Sequence, residues 1–186
     1  MLICDAHCHF FSRRFFETLA RQAGETADDP VPGILHRLGW EAPGSPADLA
    51  DRWITEMNRH HVTRAALIAS VPGDEGSVAD AVERHPDRLV GFFMLDPAAE
   101  DTADRLARAG ERGSLRCACL FPAMHHYSLH DPRAQAVIEQ AAAQRSAVFV
   151  HCGVLTIGVR KKLGLPSPFD MRFSNPLDLH AIALRH

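Results

Sequence analysis

Near its amino terminus the chain reads LICDAHCH over residues 2–9, an apolar run followed by polar side chains at alternate positions. We interpret residues 2–5 as the first strand of a sheet and the histidines as following it directly. Side chains two positions apart in an extended chain point to the same face, with Cα atoms about 6.6–6.8 Å apart. Asp5, His7 and His9 are therefore predicted to share one face, from which both imidazoles can reach a single ion.

That first run is one of five apolar segments in the chain. The other four candidate strands are residues 65–70, 89–95, 115–121 and 147–150. Helices are predicted over 102–112, from Pro132 after its capping residue Asp131, and over 177–185, whereas the glycine- and proline-punctuated stretches 24–46 and 153–174 are predicted as loops. Strands that alternate with helices predict a parallel sheet covered by helices. Periodicity leaves two architectures open, an open doubly wound sheet and part of a closed barrel.

The composition is that of a single globular domain. The chain has 186 residues, of which 46% are hydrophobic and 23% charged, and these proportions exclude a disordered or low-complexity polypeptide. The net charge of -3 and the lack of a long basic block disfavour a nucleic-acid partner. No apolar run is long enough for a membrane span, and the five cysteines are odd in number. We therefore expect a cytoplasmic protein with reduced thiols and no membrane partner.

A third histidine completes a candidate metal site. Residues 148–153 read VFVHCG, an apolar strand that ends in His151. The carboxyl ends of parallel strands meet at one edge of a sheet, and an ion held about 2.0–2.1 Å from each nitrogen needs ligands from several directions. His7, His9 and His151 are the predicted ligands. The alternative is that the first two are loop histidines bonded to backbone carbonyls.

Substrate contacts are predicted from two later segments. His125 and His126 follow the fourth strand, and either one of them is predicted to face the metal or both lie in a solvated loop anchored by Tyr127. Arg172 beside Phe173 is predicted to hold a carboxylate substrate, while the basic residues 160–162 are predicted to be solvated. The two thiols of the fourth strand, Cys117 and Cys119, are interpreted as small buried side chains rather than metal ligands.

Taken in order, four motifs resemble the amidohydrolase-related family. They are Asp5-x-His7-x-His9, the stretch HPDRLVGF at 85–92 leading to Asp96-Pro97, the strand 148–153 and Ser174-Asn175-Pro176. The branch concerned contains aminocarboxymuconate semialdehyde decarboxylase and related metal-dependent hydrolases. The resemblance spans residues 1–186 and implies a distorted (β/α)8 TIM barrel. It also implies an ion of the zinc type at the carboxyl ends of the strands, held by the three predicted histidines.

The resemblance implies a metal-dependent hydrolase or decarboxylase that acts on a small, carboxylate-bearing organic substrate through a metal-activated water. Cys119 occupies the position of the lysine found in two-metal members, so a single divalent ion is implied. The family's histidine on the sixth strand and aspartate on the eighth would follow His186, so the catalytic residues stay unassigned. A full barrel needs about 250 residues, and we expect this chain to correspond to the first five or so βα units.

Two other functions compete with this interpretation. A metal-dependent nuclease of the TatD type also begins with His-x-His, but the fourth strand lacks the glutamate of that group and the net charge is acidic. The second alternative is a catalytically incomplete fragment that binds metal without turnover. The expected partner is a small-molecule substrate, and uncovered strand edges would also permit a homo-oligomer.

Overall fold

A computed structural model describes residues 2–153 and 157–186. It contains five parallel strands, which pair in chain order and curl into half of a barrel. The strands are β1 (Cys4–Phe10), β2 (Arg64–Ala69), β3 (Leu89–Leu95), β4 (Leu115–Leu120) and β5 (Ala147–Val150). Parallel neighbours need a crossover, and helices supply each of them here. The barrel interpretation of the sequence is confirmed, since a doubly wound sheet would reverse its strand order.

The helices lie between and after the strands. They are α1 (Arg13–Gln22), α2 (Val31–Leu38), α3 (Pro46–Arg59), α4 (Glu75–Arg84), α5 (Thr102–Arg112), α6 (Pro122–His125), α7 (Pro132–Ala143), α8 (Gly158–Lys162) and α9 (His180–Ala183). Two short 3-10 helices cover Met171–Phe173 and Pro176–Leu179. No helix in the described part of the chain is long and apolar enough to cross a membrane.

Three segments differ from the sequence prediction. Strand β1 runs to Phe10, so His7 and His9 lie within the strand and not after it. The predicted loop 24–46 contains α2, whose Pro32 lies in the first turn, where a missing N–H leaves no helical bond unmade. The predicted loop 153–174 contains α8 and a 3-10 turn, and its residues 154–156 lie outside the described residues.

The last helix predicted from the sequence, over 177–185, is not a single α-helix in the structure. The segment 177–185 divides into the 3-10 helix Pro176–Leu179 and the single α-helical turn of α9. Only Ile182 of α9 is buried, and Leu177 and Leu184 are exposed. Since most helical stability in proteins comes from packing an apolar face, a segment with so little burial does not sustain a long regular helix.

The two faces of the sheet have different neighbours. The outer face packs against the helices through buried side chains such as Phe10, Leu67 and Phe93. The inner face carries a smaller apolar cluster that consists of Ile68, Met94, Cys117, Cys119 and Phe121. Both thiols of this cluster are almost fully buried, and the hydrogen bond with Cys117, together with burial, raises the pKa of Cys119. The prediction that these cysteines are small buried side chains fits this environment.

Gly91 of β3 is a position where a methyl group does not fit. A Cβ there would lie 2.6 Å from Leu115 Cδ2 and 2.8 Å from the backbone oxygen of Ser114. We expect Gly91→Ala to lower the free energy of unfolding by about 1–2 kcal/mol, because a packed backbone must shift. Gly76→Ala in α4 is the matched control, since its Cβ would meet no atom within 4 Å. Urea denaturation should give opposite signs for the two variants, and equal effects would contradict the packing argument.

Candidate functional site

The imidazole rings of His7 and His9 face each other on β1. Their Nε2 atoms are 3.2 Å apart, and the ring centroids are 5.1 Å apart. Two nitrogens that each lie about 2.0–2.1 Å from one tetrahedral ion are roughly 3.3–3.4 Å apart. The separation of the two Nε2 atoms therefore matches that of two ligands of one zinc-type ion.

Ser70 fixes the protonation of His9. Its Oγ, just beyond β2, lies 2.9 Å from His9 Nδ1 and 3.0 Å from the carbonyl oxygen of Ile68. A hydroxyl has one proton and a carbonyl oxygen only accepts, so Ser70 donates to Ile68 and accepts from His9 Nδ1. The nitrogen of His9 without a proton is then Nε2, which is the atom that faces His7. A metal ligand needs this arrangement, in which the second ring nitrogen is held by another group.

His151 lies beside this pair at the end of β5. Its backbone N–H donates to Leu120 O at 2.8 Å, and its ring stacks on Phe121 with centroids 4.9 Å apart. The centroid of the His151 ring is 5.9 Å from that of His7. Over residues 2–153 and 157–186, however, no group of three or more His, Cys, Asp or Glu side chains is close enough to hold an ion. The structure thus brings His7 and His9 into ligand spacing and places His151 next to them without closing a three-ligand site.

Burial keeps the rings of His9 and His151 uncharged. Burial lowers the pKa of His9 to about 4, and the charges that His7 and His151 would carry add to this effect. Burial, followed by the influence of His7, also lowers the pKa of His151. A histidine coordinates a metal only in its neutral form. At neutral pH both rings are therefore in the state that binds an ion.

The Asp5 side chain does not share the strand face on which the rings of His7 and His9 lie. The pairing of β1 with β2 shifts register between Asp5 and Cys8, which interrupts the two-residue alternation assumed from the sequence. The Asp5 carboxylate instead accepts a hydrogen bond from the backbone N–H of His7 at 3.0 Å. Ser70, which the sequence analysis did not select, contacts the histidine ring. The signal in the sequence is that Ser70 is a polar residue at the end of the second apolar segment, residues 65–70, and so lies at the same edge of the sheet as His151.

Two neighbouring cavities open at the carboxyl ends of the strands. The His9 cavity, about 230 Å³, is bounded by His9, His151 and mainly apolar side chains that include Phe11, Phe121 and Phe169. The Arg160 cavity, about 250 Å³, is bounded by Arg160, His125 and Gln22 among others. Five residues line both cavities, namely Phe15, Ser70, Met94, Met124 and Ile157. Barrel enzymes bind their substrates at this end of the strands, so the two cavities are the candidate substrate site.

A larger cavity of about 570 Å³ lies elsewhere. Arg64, Leu89 and Arg116 line it, and these residues are at or near the amino ends of β2, β3 and β4. It is therefore at the opposite end of the sheet from the histidines. In barrels this end contributes to stability rather than chemistry.

The predicted substrate residues are found in different places. His125 lines the Arg160 cavity, and its Nδ1 is buried with no hydrogen-bond partner among the described residues. Arg172 is 85% exposed and pairs with Asp170, while Phe173 stacks near His126 with centroids 6.3 Å apart. Neither Arg172 nor Phe173 lines the two cavities. Arg160, which was predicted to be solvated, does.

Comparison with known proteins gives one family and two solved structures. The profile of the family described as Amidohydrolase matches residues 4–186. A probable 2-pyrone-4,6-dicarboxylic acid hydrolase from Acinetobacter baumannii, solved with citric acid bound, is 19% identical with a TM-score of 0.53, over 82% of this chain and 50% of that one. IDCase from Metarhizium anisopliae is 18% identical with a TM-score of 0.57, over 81% of this chain and 50% of that one. The chain thus spans about half the length of these structures. None of the curated proteins compared with it is detectably similar.

Proposed function

The chain belongs to the amidohydrolase family, and from this premise we propose that it carries the metal-binding half of a hydrolase or decarboxylase site for a small organic acid. The observation that supports this most directly is the 3.2 Å separation of the Nε2 atoms of His7 and His9. His151 is proposed as the third ligand. The two solved structures support the barrel fold only, because their identity to this chain is low.

The residues present fit a zinc-type ion. Neutral imidazoles are ordinary ligands of zinc, and the His9 tautomer set by Ser70 leaves its Nε2 free to bind. The resemblance implies that two-metal members carry a lysine at the β4 position where this chain has the buried Cys119. We therefore propose a single ion. When bound, such an ion lowers the pKa of a coordinated water to roughly 7 and polarises the group under attack.

The remaining side chains position the ligands and the substrate. Ser70 holds the His9 ring, and Phe121 stacks against the His151 ring. The walls of the His9 cavity are mainly apolar, and apolar surroundings strengthen electrostatic interactions with a bound substrate. Strand β4 carries no glutamate, so the nuclease alternative gains no support.

Removing the hydroxyl of Ser70 tests this arrangement. Without it, His9 Nδ1 has no acceptor and the ring is free to rotate or change tautomer. We expect Ser70→Ala to weaken zinc binding by about 10–100-fold, the usual effect of losing such a partner. Competition against a zinc-sensitive dye measures the change.

Thr55→Ala is the matched control for that experiment. The Thr55 hydroxyl also donates to a backbone carbonyl, that of Asp51, but it lies on the exposed side of α3. This variant should bind zinc as the parent does. An unchanged zinc affinity in Ser70→Ala would show that the hydroxyl does not orient a ligand.

A further inference from the structure

Arg160 is a partly buried cation that has no acidic partner among residues 2–153 and 157–186. Its Nε donates to Pro166 O at 3.0 Å, and its Nη1 donates to the side-chain oxygen of Gln22. No carboxylate in the described part of the chain lies within ion-pair distance of Arg160, and Nη2 has no hydrogen-bond partner there. Burial lowers the pKa of Arg160. Burying an unpaired charge costs free energy, so an anionic group that reaches this guanidinium has a favourable place to bind.

Two other arginines near this end of the sheet are already paired with carboxylates. Arg172 contacts Asp170 through both Nε and Nη2, and Arg133 contacts Asp131 in the same way. These pairs neutralise the guanidinium groups and leave them at the surface. Arg160 therefore differs from them both in lining a cavity and in lacking a carboxylate.

The position of the Arg160 cavity connects this charge to the candidate metal centre. Since five residues line both cavities, the two spaces adjoin across the same side chains. The described residues that line the His9 cavity include no lysine or arginine. The second cavity adds Arg160, Gln22, Thr18 and the neutral imidazole of His125. A molecule that occupies both spaces thus meets an apolar compartment at one end and a cation at the other.

We propose that Arg160 binds a carboxylate of the substrate through its guanidinium, while the apolar body of the substrate fills the His9 cavity. The statement about the substrate rests on the proposed function. Guanidinium groups suit carboxylates because two parallel N–H donors match the two oxygens. This carboxylate serves to anchor the molecule and is distinct from the group that reacts at the histidines. The preferred ligand then carries this carboxylate on an apolar body and is not a compact polycarboxylate.

The test uses ligand binding and not turnover. The chain is stripped of metal with EDTA, and calorimetry compares 3-phenylpropionate with its uncharged analogue 3-phenylpropanamide. Arg160→Gln should weaken binding of the acid by about tenfold or more, the usual contribution of a charge-assisted hydrogen bond, and should leave binding of the amide unchanged. Arg172→Gln, the matched control, should change neither. Citrate should bind the parent more weakly than 3-phenylpropionate.

A second variant separates charge from local structure, because Arg160 also bonds Pro166 and Gln22. Arg160→Lys keeps the positive charge and should retain most of the preference for the acid over the amide. Equal losses for acid and amide in Arg160→Gln would overturn the proposal, as would a loss in Arg172→Gln or no binding of 3-phenylpropionate by the parent. Since the measurement is made without metal, these outcomes are independent of whether the histidines bind zinc.

Discussion

Replacing His7 and His9 together by alanine is expected to abolish stoichiometric zinc binding by the chain. Their Nε2 atoms have the spacing of two ligands on one ion, so the double variant removes a pair with this geometry from the candidate site. The imidazole of His151 would remain, and a single ligand does not hold zinc against water. Equilibrium dialysis followed by elemental analysis measures zinc per chain, and circular dichroism reports whether the variant is folded.

Two comparisons make this result specific. His60→Ala with His130→Ala removes two histidines that are 68% and 61% exposed, and it should leave the zinc content unchanged. His151→Ala tests the third ligand separately and should weaken zinc binding. Unchanged zinc content in the His7 and His9 variant would refute the metal centre. If the double variant loses zinc and His151→Ala does not, His7 and His9 remain the proposed ligands and His151 is not one.

The strands could be predicted from the sequence because each one contains or adjoins a short apolar run, and β2, β3 and β4 are buried on both faces. The histidines could be assigned to one sheet edge for a related reason, since parallel strands place their carboxyl ends together. His7, His9 and His151 do lie near one another, with the His7 and His151 centroids 5.9 Å apart. The register shift between Asp5 and Cys8 could not be predicted from periodicity, because it depends on the pairing of β1 with β2.

The polar residues around the site show where prediction from sequence ends. Arg160 and Arg172 look alike in the sequence, and both follow the fifth strand. Asp170, two positions before Arg172, neutralises the latter, while the fold places Arg160 against a cavity without a carboxylate. Ser70 was missed because a serine after a strand has no distinctive pattern. Its role follows only from its contacts with His9 and the Ile68 carbonyl.

The described site is equipped for binding more than for proton transfer. Among the described residues no carboxylate lines the His9 cavity or the Arg160 cavity, and burial lowers the pKa of His125, which lines the second of them. Hydrolysis and decarboxylation both need a group that moves protons. Zinc binding and ligand binding therefore test this site more directly than turnover does.

The second large effect is expected in the layer that supports the sheet. Arg105 of α5 is only 6% exposed, and its Nε donates to Glu75 Oε1 at 2.9 Å while its Nη2 donates to Met94 O at 3.2 Å. Arg105→Met keeps most of the side-chain volume but leaves the Glu75 carboxylate and the Met94 carbonyl without this partner. Removing one member of a buried ion pair is strongly destabilising, and we expect a loss of about 3 kcal/mol in the free energy of unfolding.

The reason for this loss can be separated from a loss of packing. If the unpaired carboxylate is responsible, Arg105→Met combined with Glu75→Gln should be more stable than Arg105→Met alone, because neither buried charge remains. Arg108→Met, an exposed position on the same helix, should change the free energy of unfolding by less than about 0.5 kcal/mol. Urea denaturation monitored by circular dichroism measures all three variants. Equal stabilities of Arg105→Met and Arg108→Met would mean that the ion pair between α4 and α5 contributes nothing to the fold.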